Sequence, residues 1–303
     1  MKLDYFVSDK INKVVAINFV QKYHYSPVMP GITKYFLGFY LDNKLVGILT
    51  LGWGTQPRHT FNKMFPTAGI LNKDKDGVWE YDIGDWYYEI GKMCLSPHLN
   101  NTRGAGSQLV AATIRWMKEN TNCLFLYTMA DGIMGKCGYV YQASNFYFGQ
   151  KYFTSVYMME NGEKLHPRSS HTLCLENAKY LKDKHGKDAL DKYKKDSKTG
   201  EKYPRYFTTD FMKARNIKLI RGFMLRYIYP LNKKAKKMMK NHSTLEWTRY
   251  YWKLKDLYWT DATDRKNKKT VPQPPFTFED AKYNLKNIEA HGQSRAVLPG
   301  FEL

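Results

Sequence analysis

The sequence predicts an α/β (α+β) protein with a mixed central sheet flanked by helices. Stretches with strand character alternate with stretches of helical periodicity over most of the chain. A favourable two-residue turn separates the first two strands, which indicates a hairpin. An apolar strand at 123–130 lies between two helical stretches, as expected for a buried central strand. These three observations define the fold class.

The first predicted helix covers residues 10–22, whose apolar residues recur with helical spacing. It runs into the sequence KYHYSPVMPG at 22–31, where an imidazole, His24, stands between two phenols before a proline-broken loop. Such a histidine caps or packs at a helix end, or it belongs to an active site. The local sequence leaves both interpretations open.

A hairpin follows the first helix. Its strands are predicted at 34–41 and 44–53, and the pair Asp42-Asn43 between them is typical of tight hairpin turns. Residues 54–79 are rich in glycine, proline, lysine and aspartate. This composition predicts an irregular excursion.

The middle of the chain alternates between strands and helices. A strand is predicted at 86–96, a helix within 100–120 and a buried strand at 123–130. Residues 131–153 predict a loop, a short helix and another strand, and 154–159 predict a further strand. The order is therefore strand, glycine turn, helix, strand, short helix, strand.

The C-terminal part is more polar. Residues 176–205 are dense in lysine and aspartate and poor in large apolar residues, which favours an exposed helix or a mobile insertion. A strand is predicted at 217–231, whereas 260–276 is linker-like. We therefore divide the chain into a main domain at 1–240 and a basic, aromatic-rich helical extension at 241–303.

Composition excludes several classes of protein. No apolar run reaches the roughly 18 residues of a membrane-spanning helix, and the N-terminus lacks the apolar stretch of a signal peptide. The four cysteines show neither CxxC spacing nor histidines at ligand spacing. We therefore expect a cytoplasmic protein with reduced thiols, no structural zinc and no membrane partner.

The formal net charge of +20 is concentrated toward the C-terminus. Residues 176–303 hold 30 lysines and arginines against 15 acidic residues, and residues 1–175 hold 18 against 13. This excess favours a polyanionic partner, because phosphate contacts by lysine and arginine release counterions. The sequence STLEWTRYYWKLKDLYW at 243–259 alternates rings with cations, as base-stacking surfaces do. A helix with Leu245, Trp252 and Trp259 packed inward would look similar.

A turn of small residues forms the start of the helical stretch at 100–120. It reads Asn101, Thr102, Arg103, Gly104, Ala105, Gly106, Ser107. The N–H groups of a helix's first turn bind phosphate with help from the helix dipole, and small residues allow close approach. Neither the Rossmann fingerprint nor the P-loop is matched. A plain turn before a helix explains the same residues.

This turn resembles the pyrophosphate loop of the GNAT acyltransferases, whose pattern is Gln/Arg-x-x-Gly-x-Gly/Ala. Here Asn101 replaces the first residue, while Gly104 and Gly106 fit. Gly138, Tyr141 and Asn145-Phe146 resemble the GNAT helix pattern GxxYxxxGF, with asparagine in place of the second glycine. The resemblance implies a GNAT-like mixed sheet. It implies a cofactor-binding role for the turn and Asn145, and in that superfamily the helix tyrosine often protonates the departing thiolate.

A closer resemblance covers roughly residues 1–240. The sequence HYS at 24–26, the glycine turn, AD at 130–131 followed by GxxYQAxNF, and HPRS at 166–169 look like the Mom family of bacteriophage DNA-modification proteins. The family has a GNAT-like fold and converts adenine in DNA to an N6-carbamoylmethyl form, which protects phage DNA from restriction nucleases. Residues 241–303 match no pattern of the family.

The resemblance implies an active site of His24, Tyr25, Asp131 and Tyr141. Histidine moves protons near neutral pH, aspartate orients a base or accepts from an exocyclic amine, and tyrosine donates. It also implies substrate contacts by Ser26, Lys136, His166 and Arg168. Each residue has an ordinary alternative: His24 as a helix cap, Asp131 as an N-cap, Tyr141 as a core residue.

The donor and any metal stay open in the sequence. Acyl-CoA and aminoacyl-tRNA are both candidate donors, and Asn101 speaks modestly against CoA. Iron is a candidate metal because part of the family has been associated with it, although no 2-His-1-carboxylate pattern is evident. Lys136 stands where family members commonly carry histidine, which leaves open a different donor or a different installed group. The oligomeric state is left open.

The predicted function is modification of double-stranded DNA in the cytoplasm of the bacterial host, with a target adenine flipped into the cleft between the central strands. Two alternatives remain from the sequence. One is an acyl- or aminoacyl-transferase with another acceptor, for which the positive charge would suit tRNA. The other is a non-catalytic protein that binds nucleic acid.

Overall fold

Helices and strands alternate along the part of the chain that our computed structural model describes, which is residues 2–26, 29–99, 101–165, 171–196, 200–249, 252–264 and 266–276. The α-helices are α1 (Lys13–Tyr23), α2 (Pro57–Met64), α3 (Ala105–Asn120), α4 (Tyr139–Ala143), α5 (His171–His185), α6 (Thr209–Ala214) and α7 (Lys233–His242). The strands are β1 (Phe6–Ser8), β2 (Thr33–Leu41), β3 (Lys44–Gly52), β4 (Tyr87–Leu95), β5 (Phe125–Asp131), β6 (Tyr147–Met158), β7 (Lys164–Leu165), β8 (Lys218–Pro230), β9 (Trp259–Asp261) and β10 (Lys269–Val271). This content confirms the α/β class.

All ten described strands belong to one mixed sheet. Its order is β1-β2-β3-β4-β5-β8-β6-β7, and β9 pairs with β8 and with β10. The pair β4 and β5 is parallel, and the other pairs are antiparallel. Helix α3 provides the connection that a parallel pair requires.

The parallel pair opens toward its C-terminal end. Strands β4 and β5 are in register only from Tyr87 opposite Phe125 to Glu89 opposite Tyr127. Beyond Glu89, β4 continues beside β3, while β5 continues beside β8 as far as Asp131. The two strands therefore diverge in the middle of the sheet.

The predicted hairpin is confirmed. Strands β2 and β3 pair on either side of Asp42 and Asn43, whose φ angles are 48° and 62°. A two-residue hairpin turn needs left-handed backbone at both central positions, and aspartate and asparagine accept it more readily than most residues.

Both faces of the sheet are covered. On one face, Leu126 belongs to the same apolar cluster as Leu109 and Val110 of α3. On the other face, Phe125 and Tyr127 cluster with side chains of α2 and α7. Helix α1 covers a neighbouring area of the sheet with Phe19 and Val20. This double cover explains why β5 is apolar along nearly its whole length.

The expectation of irregular structure at 54–79 was wrong for its first part. Helix α2 begins there with Pro57 in its first turn, where a missing N–H costs nothing, and it buries Phe61 and Met64. The Arg58 guanidinium then donates to the Ile70 carbonyl oxygen at 3.0 Å. Only eight residues are helical, which is too short for a clear periodic signal in the sequence.

The two strands expected in 131–159 form the single strand β6. Its pairing with β8 shifts register between Phe148 and Lys151. The residue Gly149 lies within this bulge, and a Cβ atom there would lie 1.9 Å from the Trp247 ring. The glycine therefore allows the C-terminal segment to pack on the strand.

The described part of the C-terminal extension contains no α-helix after α7. It contains a short 3-10 turn (Leu254–Asp256) and the strands β9 and β10, so the linker-like expectation for 260–276 was also wrong. Trp259 is nevertheless buried, and its indole N–H donates to the Gly132 carbonyl oxygen at 2.9 Å. Inward packing of the aromatic residues thus occurs without the predicted helix.

The lysine-rich segment begins as a helix. Helix α5 buries Asn177, Ala178 and Leu181, and the Asn177 amide oxygen accepts a hydrogen bond from the Thr208 hydroxyl at 2.9 Å. One face of the segment is therefore anchored. None of the described helices is long and apolar enough to cross a membrane.

Candidate active site

A pocket of about 580 Å³ opens where β4 and β5 diverge. Four segments line it: residues 23–26 after α1, 90–95 of β4, 129–131 at the end of β5, and 135–141 leading into α4. Side chains that are far apart in the sequence therefore meet around one cavity.

This pocket brings together six of the residues singled out in the sequence. They are His24, Tyr25, Ser26, Asp131, Lys136 and Tyr141. The residues of the glycine turn and Asn145 lie outside its lining. His166 and Arg168 lie outside the described residues, so their predicted substrate contacts stay predictions.

His24 is both a helix end and a wall of the pocket. It is the C-cap residue of α1, and its backbone N–H donates to the Val20 carbonyl oxygen at 2.9 Å. The imidazole is stacked on the Tyr25 ring, with 4.5 Å between the ring centroids. The two interpretations of KYHYSPVMPG are therefore compatible.

The His24 imidazole is neutral. Burial, together with the positive charges of Lys92 and Lys136, lowers its pKa to about 3, and the hydrogen bond with the Ser26 backbone opposes the change. Its Nδ1 atom lies 2.9 Å from the Ser26 amide nitrogen and 3.1 Å from the Ser26 carbonyl oxygen. Because the amide can only donate, we assign Nδ1 as the acceptor and place the hydrogen on Nε2. In this tautomer Nε2–H is a hydrogen-bond donor.

Asp131 is held by a lysine that the sequence analysis did not identify. The Lys164 ammonium on β7 contacts Asp131 Oδ2 at 2.8 Å, and both side chains are mostly buried. A charge-assisted hydrogen bond of this length fixes the direction of the carboxylate. The partners are 33 positions apart, so the sequence carries no local signal for the pair.

Lys92 is a second lysine that the sequence analysis missed. It lies on β4, is 9% exposed and donates to the Ser26 hydroxyl at 2.9 Å. Burial and the nearby charge of Lys164 lower its pKa to about 8, against the opposing effects of Asp131 and Cys94. A lysine in a strand normally points to solvent, so only burial distinguishes this one.

Two of the tyrosines that line the pocket, Tyr25 and Tyr141, stay protonated. Burial raises the pKa of Tyr25, and the nearby Asp131 and Tyr141 raise it further. Burial also raises the pKa of Tyr141, while a hydrogen bond with the Thr128 side chain opposes the change. Both phenols therefore serve as hydrogen-bond donors near neutral pH.

The small residues of the glycine turn have structural roles. Gly104 is the N-cap of α3 with φ of 80°, which favours glycine. A Cβ atom on Gly106 would lie 3.1 Å from the Val140 side chain, so the residue lets α3 approach α4. Asn145 has φ of 62°, which explains asparagine where the GNAT pattern has glycine. These roles leave the predicted cofactor contacts of the turn untested.

The donors around the pocket do not fit a bound iron. Among the described residues, no group of three or more histidine, cysteine, aspartate and glutamate side chains could hold a metal ion. Asp131 is paired with Lys164, and the ammonium of Lys92 lies nearby. These nearby positive charges disfavour the binding of a metal cation beside Asp131.

The fold and the pocket define a class: an α/β protein with a desolvated, ionisable pocket at the opening of its sheet, on a strongly basic chain. The Mom protein family model matches residues 5–249, and the chain belongs to this family. The comparison with curated proteins gave no match. Membership indicates phage DNA adenine modification and, in general, a DNA-modifying enzyme.

Proposed function

We propose that the chain is a transferase that hypermodifies N6 of adenine in double-stranded phage DNA with a carbamoylmethyl-type group, in the cytoplasm of the bacterial host. The modification would protect the DNA from restriction. The observation that carries the proposal is the single pocket that gathers His24, Lys92, Asp131 and Tyr141 from four segments. Membership of the Mom family supports adenine as the target base and DNA as the polymer that carries it.

The proposal assigns Asp131 to the adenine amine. The N6 lone pair is delocalised into the ring, so attack on an electrophile needs an acceptor for the N6 proton. Asp131 is fixed in direction by Lys164 at 2.8 Å and lies at the C-terminal end of β5, at the mouth of the opening sheet. A flipped adenine would therefore place its amine against this carboxylate.

The donor side of the reaction is assigned to His24, Lys92 and Tyr141. The N6–carbon bond forms while the bond between the donor carbon and its leaving group breaks. A methylene donor carbon gives the carbamoylmethyl product directly, whereas attack on an acyl carbon gives an N6-acyl adenine, so the nucleoside mass and fragmentation distinguish the two. The Nε2–H of neutral His24 and the ammonium of Lys92 stabilise the charge that develops on the donor. Tyr141 keeps its proton until the leaving group departs and then supplies it.

We also propose a GNAT-like arrangement of the sheet. It is supported by the parallel pair β4 and β5, which diverges after three residue pairs, and by the helices α3 and α4 that follow these strands. Within it, the first turn of α3 borders the pocket through Gly106, whose nearest neighbours are Val140 and Leu95. A phosphate-bearing donor, acyl-CoA or aminoacyl-tRNA, would bind along this border.

The test is mass spectrometry of nucleosides from plasmid DNA co-expressed with the chain. The expected result is a modified deoxyadenosine that is absent when Asp131→Asn replaces the wild type. If mass spectrometry detects only unmodified nucleosides, the proposal fails and the alternative of a non-catalytic DNA-binding protein is favoured. Calorimetry with CoA then distinguishes the donors, since a CoA-dependent enzyme binds CoA in the absence of DNA.

A further inference from the structure

A second groove lies on the sheet outside the candidate active site. It has a volume of about 830 Å³ and is built on the N-terminal half of β8, the facing part of β6, β9, and the residues before α6. Its residues on β8 end at Phe223. The next residue, Met224, pairs with Asp131 of β5 across the sheet. The proposed reaction makes no use of this groove.

Three aromatic side chains in the groove are exposed. Phe153 is 68% exposed, Tyr206 64% and Tyr258 46%. Phe223 lies beneath two of them, with ring centroids 4.8 Å from Phe153 and 4.6 Å from Tyr258. Large rings clustered on an exposed surface indicate a binding site, because burying them is favourable and leaving them in water is not.

The charges of the groove are all positive. Arg221 and Lys268 line it, and no aspartate or glutamate is among the described residues that do so. The Lys151 ammonium lies 4.4 Å from the centroid of the Phe223 ring and 5.4 Å from that of Tyr258. Rings interleaved with cations form the surface on which single-stranded nucleic acids bind, with bases on the rings and phosphates on the cations.

We propose that this groove binds an unpaired segment of DNA, whose bases stack on Phe153, Tyr206 and Tyr258. The choice of DNA rests on the proposed function. An unpaired segment is favoured over a duplex because both faces of a paired base are already covered by its neighbours. Flipping a target base opens the stack and supplies such a segment. The groove lies on β8, and β8 pairs with β5, which carries Asp131 of the candidate active site. One opened strand that follows these neighbouring strands would contact both.

The test measures fluorescence anisotropy of a labelled, unpaired DNA oligonucleotide with the full-length chain. The oligonucleotide has about 16 nucleotides, the upper end of the length that one OB-fold domain covers when it binds a single strand. Phe153→Ala should weaken binding about fivefold or more, the low end of the stacking contribution. The matched control is Phe6→Ala. Phe6 is equally exposed, at 68%, and lies on β1, away from the groove. Its replacement should leave the affinity unchanged.

Two further variants separate base stacking from a general apolar contact. Phe153→Trp keeps an aromatic face and should retain the affinity, whereas Phe153→Leu keeps apolar area without a face and should lose it. Arg221→Gln should reduce the slope of log affinity against log salt by about 0.7, the value for one phosphate contact on a single strand. Circular dichroism confirms that each variant is folded.

Several outcomes would overturn the proposal. One is an unchanged affinity of the Phe153→Ala variant for unpaired DNA, and another is an equal loss of affinity in the Phe153→Leu and Phe153→Trp variants. A third is that binding of duplex DNA depends on Phe153 as strongly as binding of unpaired DNA. The fourth is that RNA of the same sequence binds in the groove more tightly than DNA. Self-association that Phe153→Ala abolishes would instead make the groove an interface between copies. A groove that binds DNA in a chain forming no modified nucleoside would keep this proposal and remove the proposed function.

Discussion

The candidate active site and the aromatic groove are built from opposite materials. In the pocket, ionisable side chains are mostly shielded from solvent: His24, Lys92 and Asp131 line a cavity between diverging strands, and Lys164 contacts Asp131. In the groove, apolar rings are exposed and the lining charges are all positive. Burial changes the acid–base behaviour of a group, whereas exposure preserves an accessible face for a ligand.

This difference supports the proposed division between a site for chemistry and a site for binding. The desolvated pocket shifts pKa values, as the lowered pKa of His24 and Lys92 shows. Functional sites concentrate such shifts, although structural ion-pair networks produce them as well. Substitutions in the pocket should therefore change turnover without changing the affinity for unpaired DNA, and substitutions in the groove should do the reverse.

The largest expected effect is that of Asp131→Asn. The amide cannot take the N6 proton and leaves the Lys164 ammonium without its counter-ion, so modification should fall by about 1000-fold or more. The measurement is the modified nucleoside per plasmid by mass spectrometry. Asp4→Asn, a change at an exposed carboxyl near the N-terminus, is the control and should modify normally. Undiminished modification by Asp131→Asn would remove its assigned role.

His24 should show a smaller loss that depends on the replacement. Alanine removes the Nε2–H donor and should lower the rate about 100-fold, as loss of one preorganised donor does. Glutamine keeps an N–H donor and should retain most of the wild-type rate. A glutamine variant as inactive as the alanine variant would indicate that His24 acts as a base.

The pH profile should identify Lys92. Its pKa of about 8 means that the ammonium is present below that pH and lost above it, so the rate should fall as pH rises through 8. Lys92→Met should lower the rate about tenfold and remove this fall, without loss of thermal stability, because a buried charge is replaced by an apolar chain of similar size. His24 should cause no change near pH 6.5, since its pKa is about 3. A rate that rises through pH 8 would make the neutral amine the reacting form.

Local patterns were sufficient for much of the fold. The Asp42-Asn43 turn, the apolar strand β5 and the periodic helix α3 each carry their signal within a few residues. The central place of β8 between β5 and β6 was not predictable in the same way, because pairing across the sheet joins residues about a hundred positions apart.

The candidate site shows the same limit. His24, Tyr25, Asp131 and Tyr141 were found through motifs, and the pocket brings them together. Lys92 and Lys164 were missed because each looks like an ordinary surface lysine until the strands β4 and β7 place it beside Ser26 or Asp131. The groove was missed because Phe153, Tyr206 and Tyr258 come from three distant segments. Within the sequence, rings and cations alternate in one continuous stretch at 243–259, which contains Tyr258 but neither Phe153 nor Tyr206.

The smallest expected effect tests the binding side of the comparison. Lys268→Gln removes one positive charge from the edge of the groove and should reduce the slope of log affinity against log salt by about 0.7 for unpaired DNA. Lys75→Gln, a change at an exposed lysine outside the groove, is the matched control. Turnover at saturating DNA should be unchanged, because the groove holds the strand and the pocket performs the reaction. An altered turnover with an unaltered salt slope would instead connect Lys268 to the chemistry and remove the division between the two regions.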